Sequence, residues 1–314
     1  MKKQKRRTAA TDSGIDVKTV CAGEAPRCKT FEHNGMRVIG GGGVALHVLD
    51  EGNPEGPPIL FIHGYCQSTF AWRKQFAGDL GRDFRLIAFD LRGHGESDKP
   101  ADAAAYTDSK FWADDVAAVI DALALQNVTL AGWSYGGYVI ADYLRFYGAG
   151  RVRAVAFVCA LTLKGGEKAR GFTGARFAAL FPALFSPDPE VLRPAMARFV
   201  DLCVADPSLL PENDRVKLLA IGEQCPAIAR ESTSRRKLDN DDVLGTLRVP
   251  VLCVHGTEDE IVTVASSQHN AAVVPGARLA LYERIGHSPF VEDAPRFNRE
   301  LRELVTRRAQ ENRP

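Results

Sequence analysis

The residues best suited to chemistry lie in a short stretch flanked by glycines, Gly132 to Gly136, which reads GWSYG. An apolar, β-rich run at 128–131 leads into the stretch, and a helix-like segment at 137–147 follows it. On a sharp turn from strand to helix, a serine hydroxyl is exposed above the edge of the sheet and can act as a nucleophile. The pattern and its surroundings therefore predict a catalytic role for Ser134, rather than a place in an ordinary glycine-rich turn.

A serine hydroxyl needs a base within hydrogen-bond reach and a group that orients the base. Asp259 lies in the loop after an apolar run at 251–254, and His287 follows a glycine and precedes a proline turn. Ligand sites of open α/β sheets gather beyond the carboxyl ends of the strands. His287 is thus the candidate base and Asp259 the candidate acid, with Glu258 and Glu260 as weaker alternatives for the acid.

Two backbone amides are candidates for stabilising an oxyanion. The N–H of Tyr135 follows the serine near a helix N-terminus, where negative charge is favoured. The N–H of Tyr65 follows Gly64 in the loop after the apolar run at 59–63. Cys66 and Trp133 flank these positions and are candidates for the wall of a substrate pocket, although Cys66 is favoured as a small spacer over a reactive thiol.

The other histidines of the strand ends have simpler expected roles. His63 and His255 each end an apolar run and precede a glycine, so they are expected to hydrogen-bond loop backbone. His94 lies in the turn-rich loop 92–97 and is expected to fix that loop.

Short apolar runs alternate with helical patterns along most of the chain, which indicates βαβ units around a mainly parallel sheet. Strands are expected at 44–49 (an antiparallel edge strand), 59–63, 85–90, 128–133, 154–159, 251–254 and 279–282. Helices are expected near 69–81, 108–125, 137–148, 263–273 and 295–309.

One stretch interrupts this rhythm. From 161 to 242 there is no apolar strand pattern, and six prolines divide a segment rich in Phe, Leu, Ala and Arg into short helices. We interpret 161–242 as a helical cap inserted into a core of 31–160 and 243–314. Its aromatic residues, Phe181 and Phe185 among them, are candidates for an apolar lid that excludes water from the site.

These motifs, in this order, closely resemble the α/β-hydrolase superfamily over about 36–308. The matching stretches are His63-Gly64, 90–97 (DLRGHGES), the serine turn, the loop 255–262 and Gly286-His287. The resemblance implies an eight-stranded, mostly parallel sheet with helices on both faces. It also implies Ser134 as nucleophile, His287 as base, Asp259 as orienting acid, and Tyr65 and Tyr135 as oxyanion donors.

Within the superfamily, the chain is most similar to the serine esterases and cofactor-free haloperoxidases (perhydrolases). The expected reaction is hydrolysis of carboxylic esters, thioesters or lactones of small to medium apolar molecules. Perhydrolase-like members usually carry proline where this chain has Cys66, which weakens that alternative. A C–C bond hydrolase is a further enzymatic alternative, and a ligand-sensing receptor on the same fold is the alternative outside enzymes.

Composition sets the remaining expectations. The 314 residues are 45% hydrophobic and 25% charged with a net charge of +1, so neither nucleic acid nor a membrane span is expected. Residues 1–30 are expected to form a disordered basic tail. Seven scattered cysteines without CxxC spacing favour a reducing cytoplasm over disulfides or zinc. No metal or cofactor is expected, the run Gly40–Gly43 is interpreted as a flexible turn, and the oligomeric state stays undetermined.

Overall fold

An eight-stranded sheet organises residues 35–307, the part of the chain that this computed structural model describes. The predicted basic tail, with Cys21 and Cys28, lies outside these residues. The strands are β1 (Met36–Ile39), β2 (Ala45–Gly52), β3 (Pro58–Ile62), β4 (Arg85–Phe89), β5 (Val128–Trp133), β6 (Val152–Val158), β7 (Val251–Gly256) and β8 (Arg278–Tyr282). Their order across the sheet is β1-β2-β4-β3-β5-β6-β7-β8.

The antiparallel end of the sheet differs from the prediction in one respect. β2 is antiparallel to both its neighbours, β1 and β4, and every other neighbouring pair is parallel. The edge strand is therefore β1, and the prediction that 44–49 forms the edge was wrong. β1 has four residues of which three are exposed, so it carries almost no hydrophobic pattern that the sequence could show.

The central strands are covered on both faces. Every residue of β5 and of β7 is buried. Because successive side chains of a strand point to opposite faces, burial without alternation requires cover on each face. This arrangement confirms the predicted α/β fold with a mostly parallel sheet of eight strands.

Thirteen α-helices and four short 3₁₀ turns accompany the sheet within residues 35–307. The helices of the core are α1 (Arg73–Ala77), α2 (Ala104–Thr107), α3 (Ser109–Ala122), α4 (Gly136–Tyr147), α11 (Val264–Val273), α12 (Pro289–Glu292) and α13 (Ala294–Thr306). None of the helices in this range is long and apolar enough to cross a bilayer.

The pair α3 and α4 shows how the sequence specifies these helices. α3 begins after Asp108, whose carboxylate accepts a hydrogen bond from the Lys110 N–H at 2.8 Å, an N-cap contact. Its buried side chains include Trp112, Val116 and Val119, at the three- and four-residue spacing of one helix face. α4 packs against both α3 and β5, and so places the helix N-terminus at the end of that strand.

Residues 161–242, which lie between β6 and β7 and which we call the helical segment, contain no strand. They form α5 (Ala175–Ala178), α6 (Phe181–Leu184), α7 (Pro189–Leu202), α8 (Glu212–Gln224), α9 (Ala227–Arg235) and the start of α10 (Asp241–Leu244). Pro182 and Pro189 lie in the first turns of α6 and α7, where a missing N–H costs little. Pro194 lies inside α7, so the expectation that this proline divides two helices was wrong.

The glycine run forms a 3₁₀ turn, Gly41–Gly43, that contacts the loop after β4. The Gly41 N–H donates to Asp115 Oδ1 at 2.9 Å, and Arg92 donates to the Gly41 carbonyl at 2.9 Å. Arg92 and Asp115 are themselves a fully buried ion pair at 2.7 Å. The run is therefore a turn, as predicted, but a fixed one.

Candidate active site

Ser134 occupies the turn between β5 and α4. Its φ is 55°, in the left-handed region that residues with a side chain rarely adopt. The Ser134 N–H donates to the Val158 carbonyl of β6 at 3.0 Å, and the Ser134 carbonyl accepts from the Gly137 N–H at 3.0 Å. These bonds hold a strained serine at the carboxyl end of a buried strand, as a nucleophile elbow requires.

The two glycines that frame the turn are needed for close packing. A Cβ on Gly132 would lie 2.7 Å from the Gly136 carbonyl oxygen, and a Cβ on Gly136 would lie 2.5 Å from the Ile62 carbonyl oxygen. Since both contacts are with backbone, no side chain can move aside to relieve them. The spacing of glycine two residues before and after Ser134 thus follows from how tightly β5, α4 and β3 meet.

Asp259 and His287 form a buried hydrogen-bonded pair. His287 Nδ1 lies 2.6 Å from Asp259 Oδ2, while Asp259 Oδ1 accepts from the N–H groups of Ile261 and Val262 at 2.8 and 2.9 Å. Burial favours the neutral acid, but charge interaction with His287 and hydrogen bonds from His255 and His287 outweigh it and lower the pKa of Asp259 below its usual value. Asp259 is therefore a carboxylate that can orient the His287 ring.

His255 supplies a further contact to the same carboxylate. Its Nε2 lies 2.9 Å from the Val262 carbonyl and 3.2 Å from Asp259 Oδ2, and its Nδ1 lies 2.7 Å from Ser267 Oγ. Because a carbonyl only accepts, Nε2 carries the proton, and Nδ1 accepts from the serine hydroxyl. This matches the predicted structural role of His255.

The two glutamates beside Asp259 take no part in this pair. Glu258 is exposed. Glu260 forms an exposed ion pair with Arg176. Asp259 is thus the acid that the fold brings to His287.

Trp133 connects His287 to the serine turn. Its indole N–H donates to the His287 carbonyl at 2.8 Å, and the two ring centroids are 5.3 Å apart. Trp133 immediately precedes Ser134, so this contact places the loop after β8 against the elbow. The Trp133 ring also packs on Phe290, which lies in α12 directly after that loop.

The loop after β3 lies directly against Ser134. A Cβ on Gly64 would be 3.1 Å from the Ser134 Cβ, which shows how close the two backbones are. The N–H groups of Tyr65 and Tyr135 donate to no acceptor within residues 35–307. Two free amides beside a serine hydroxyl are the donors that an oxyanion needs.

Neighbouring residues hold this loop in place. His63 accepts from the Leu91 N–H at 2.9 Å through Nε2 and contacts the Gly64 carbonyl at 2.8 Å through Nδ1. Burial, together with His94, lowers the pKa of His63 to about 3, so the ring is neutral. His94 contacts the Arg92 carbonyl at 2.9 Å. Both histidines thus have the structural roles that the sequence predicted.

A cavity of about 690 Å³, its open mouth included, lies above Ser134 between the core and the helical segment. Its lining residues are Tyr65, Ser134, Tyr135, Tyr138, Leu161, Leu163, Lys164, Gly165, Ala169, Phe172, Thr173, Phe177, Phe181, Phe199, Thr233, Ser234, Ile261 and Val262. The wall is mainly apolar and aromatic, as in sites that bind small organic molecules.

The four pocket candidates from the sequence have different positions. Phe181 lines this cavity, whereas Phe185 stacks on Phe181 with centroids 5.5 Å apart and is not part of the wall. Cys66 is fully buried, and Trp133 lines a second, apolar cavity of about 350 Å³ beside Ser288. The structure therefore places only Phe181 on the wall beside Ser134.

Sequence reasoning missed Arg236 and Lys164. Arg236 donates to the Tyr135 hydroxyl at 3.0 Å and forms a buried ion pair with Asp142 at 2.6 Å, so it ties the helical segment to the elbow. Lys164 lines the cavity itself. Arg236 lies 101 positions along the chain from Tyr135 and 94 from Asp142. Lys164 lies in the same segment without a recognisable motif, so no local signal identifies either residue.

Cys159, His255 and Asp259 place three possible metal-ligand atoms within 4.8 Å of one another. The donors do not suit a metal, however. Both His255 ring nitrogens and both Asp259 oxygens are already hydrogen-bonded. Burial raises the pKa of the Cys159 thiol well above its usual value, so it is not the thiolate that binds metals.

Comparison with known proteins agrees with this fold. A family model described as the alpha/beta hydrolase fold matches residues 57–195. The structure of the esterase RhEst1 from Rhodococcus sp. ECU1013 superposes with a TM-score of 0.82 at 35% identity, over 87% of this chain and 99% of that one.

Curated relatives extend over most of both chains. The chain is 28% identical to the non-heme chloroperoxidase CPO-A1 of Kitasatospora aureofaciens, over 84% of this chain and 97% of the relative. It is also 28% identical to the bifunctional esterase/perhydrolase DCH of Acinetobacter calcoaceticus, over 82% and 95%. The chain belongs to the α/β-hydrolase superfamily, in the group that contains esterases and non-heme haloperoxidases, and it is a hydrolase of that fold.

Proposed function

We propose that the protein is a serine carboxylesterase that acts through an acyl-Ser134 intermediate. Its substrates are small to medium, largely apolar esters. Thioesters and lactones can react by the same mechanism. The observation that carries the proposal is the Asp259–His287 hydrogen bond of 2.6 Å, held against the Ser134 elbow by the Trp133–His287 contact of 2.8 Å.

The steps follow from the protonation states of the pair. Because His287 Nδ1–H donates to the Asp259 carboxylate, Nε2 is the free base that takes the Ser134 hydroxyl proton as Oγ attacks the ester carbonyl. The tetrahedral intermediate collapses when His287 returns this proton to the leaving alcohol. Water, deprotonated by the same nitrogen, then attacks the acyl-serine and releases the carboxylic acid.

The oxyanion of each intermediate rests on the N–H groups of Tyr65 and Tyr135. Loss of one such donor typically costs about 10²- to 10³-fold in rate. The free state of both amides and the 3.1 Å approach of a Gly64 Cβ to the Ser134 Cβ support this assignment. The helical segment acts as a cap that closes the site from water. The aromatic residues that it contributes to the cavity wall support this role.

A panel of p-nitrophenyl esters from acetate to octanoate tests the proposal. We expect steady-state release of p-nitrophenol that is at least about 10⁴-fold faster than with the Ser134→Ala variant, as for loss of a nucleophile. A receptor on this fold would instead gain thermal stability from a ligand and show little turnover. That result would contradict the assignment as an esterase.

Perhydrolysis, in which hydrogen peroxide replaces water in the second step, is the second candidate. The relatives named as chloroperoxidase and perhydrolase favour it. The backbone at Cys66 opposes it, since its φ of 53° lies far from the value of about −65° that proline imposes. The loop therefore cannot hold the proline that perhydrolase-like members carry here, and we expect hydrolysis to exceed perhydrolysis on the same ester when the two products are measured together.

Trp133→Phe tests the link between the elbow and the base. The substitution keeps an aromatic ring and removes the indole N–H that holds the His287 carbonyl. We expect kcat to fall about tenfold with KM nearly unchanged, because one hydrogen bond that positions the base is worth about 1 kcal/mol or slightly more. Steady-state kinetics check this, and an effect on KM alone would mean that Trp133 serves binding instead.

We also propose a cytoplasmic enzyme with a small-molecule acyl substrate. Five cysteines within residues 35–307 are free and buried, which supports a reducing compartment.

A further inference from the structure

Lys164 carries the only formally charged side chain among the residues that line the cavity above Ser134. It is half-buried and lies on the helical segment, shortly after β6. Two backbone hydrogen bonds with Leu238, at 2.8 and 2.9 Å, fix its main chain across that segment. The main chain of Lys164 is therefore fixed on a wall that it shares with Ser134 and that carries no other formal charge.

The Lys164 ammonium has no hydrogen-bond or ion-pair partner among residues 35–307. None of the neutral hydroxyls of the wall forms a hydrogen bond with this ammonium within residues 35–307. The hydroxyls of Tyr138, Thr233 and Ser234 donate to backbone carbonyl oxygens at 2.8–2.9 Å. An ammonium whose three donors lack a protein acceptor in a confined apolar space has its strongest partner in a bound anion.

The charges near Lys164 also favour a bound anion. Arg236, whose positive charge acts on Lys164, is already paired with Asp142 at 2.6 Å. Burial first, and repulsion from Arg236 second, lower the pKa of Lys164 to about 8. The group is thus still mainly charged near pH 7, and a carboxylate beside it would relieve both effects.

We propose that Lys164 selects esters that carry a second, free carboxylate, such as the monoesters of dicarboxylic acids, by pairing with that carboxylate while Ser134 attacks the ester. This inference rests on the proposed esterase function and names its substrate class. The apolar and aromatic residues of the wall hold the carbon chain between the two groups. Lys164 acts on binding and orientation, and the bond-breaking steps stay those of Ser134 and His287.

The first test compares monomethyl glutarate with dimethyl glutarate as substrates of the wild-type enzyme. Monomethyl succinate and monomethyl adipate, with their dimethyl esters, vary the chain length. We expect kcat/KM for the best monoester to exceed that for its diester about tenfold or more, since a hydrogen bond between charged groups discriminates by about 10- to 100-fold. Equal values for every pair would overturn the proposal.

Variants then assign the preference to one side chain. Lys164→Met should lower the ratio of monoester to diester kcat/KM about 10- to 100-fold. Lys164→Arg should retain most of the preference. Lys237→Met is the matched control, because Lys237 is exposed and does not line the cavity. Loss of the preference in the control, or its survival in Lys164→Met, would contradict the proposal.

The pH dependence of the wild-type enzyme needs no variant. The ratio of monoester to diester kcat/KM should be high near pH 7 and fall as the pH rises through about 8, where Lys164 loses its proton. The other titratable groups of the wall, Tyr65, Tyr135 and Tyr138, stay protonated there because burial raises the pKa of each, that of Tyr135 to about 12. Arg236 stays charged, because its contacts with Tyr135 and Asp142 outweigh burial and raise its pKa. A ratio that does not change with pH would count against Lys164.

Binding of glutarate separates this inference from the esterase proposal. Calorimetry with the Ser134→Ala variant should detect binding of glutarate. Adding Lys164→Met should weaken the affinity for glutarate about tenfold or more. If the wild type hydrolyses no ester but glutarate binding still depends on Lys164, the esterase function fails and the carboxylate site stands. If esters are hydrolysed but glutarate binding does not depend on Lys164, the carboxylate site fails alone.

Discussion

Replacement of Ser134 by alanine should lower kcat by about 10⁴- to 10⁶-fold, the range observed when the nucleophile of a catalytic triad is removed. No neighbouring group can replace it. Cys66, in the loop that lies against Ser134, is fully buried, and burial raises its pKa well above the usual value, so it offers no thiolate. Among residues 132–136, Ser134 alone has a positive φ, of 55°.

The fold should tolerate this change, so the loss can be assigned to chemistry. Ser134 Oγ makes no hydrogen bond that holds the described residues together; only its backbone does. Melting temperatures and far-UV spectra of the two proteins should therefore coincide. Residual activity within about a hundredfold of the wild type in a folded Ser134→Ala protein would contradict the covalent mechanism, since a triad's nucleophile contributes far more.

Asp259→Asn should lower kcat by about 10⁴-fold with little change in KM, the effect expected when the orienting acid loses its charge. The amide oxygen can still accept from the N–H groups of Ile261 and Val262, so the loop keeps its shape. The amide nitrogen would face His287 Nδ1 and favour the tautomer that protonates Nε2, which removes the base. The structure therefore predicts an intact fold with the wrong proton on His287.

Glu258→Gln is the matched control for this experiment. Glu258 is exposed on the same loop and does not contact His287. Its kcat should stay within about twofold of the wild type, as for surface substitutions away from the reacting groups. A large loss in Glu258→Gln, with Asp259→Asn active, would mean that the acid has been assigned to the wrong residue.

Much of the fold and the candidate site could be predicted from the sequence because their signals are local. The buried strands β3 to β7 read as continuous apolar runs, and Ser134, Asp259 and His287 each follow such a run in a glycine-marked loop. Parallel strands bring their carboxyl ends to one edge, so the motifs also predict proximity. The structure shows the Asp259–His287 hydrogen bond, and the substitutions of Ser134 and Asp259 test the catalytic roles.

The remaining features depend on contacts between distant positions. β1 was missed because three of its four residues are exposed. Lys164 was missed because its place on the cavity wall depends on how the helical segment folds over the core. Phe185 illustrates the same limit. It is the same residue type as Phe181, four positions away, but it packs behind the Phe181 ring. Periodicity identifies helices, but it does not say which of their aromatic residues face the site.

The most direct test of the central claim is labelling of the folded protein with a fluorophosphonate, followed by intact-mass measurement and peptide mapping. A phosphonate reacts with a serine that a neighbouring base activates and mimics the tetrahedral intermediate in the oxyanion hole. The account predicts one adduct per chain, located on Ser134, that is absent from Ser134→Ala and strongly slowed in Asp259→Asn. No adduct, or an adduct on another residue that persists in Ser134→Ala, would contradict it.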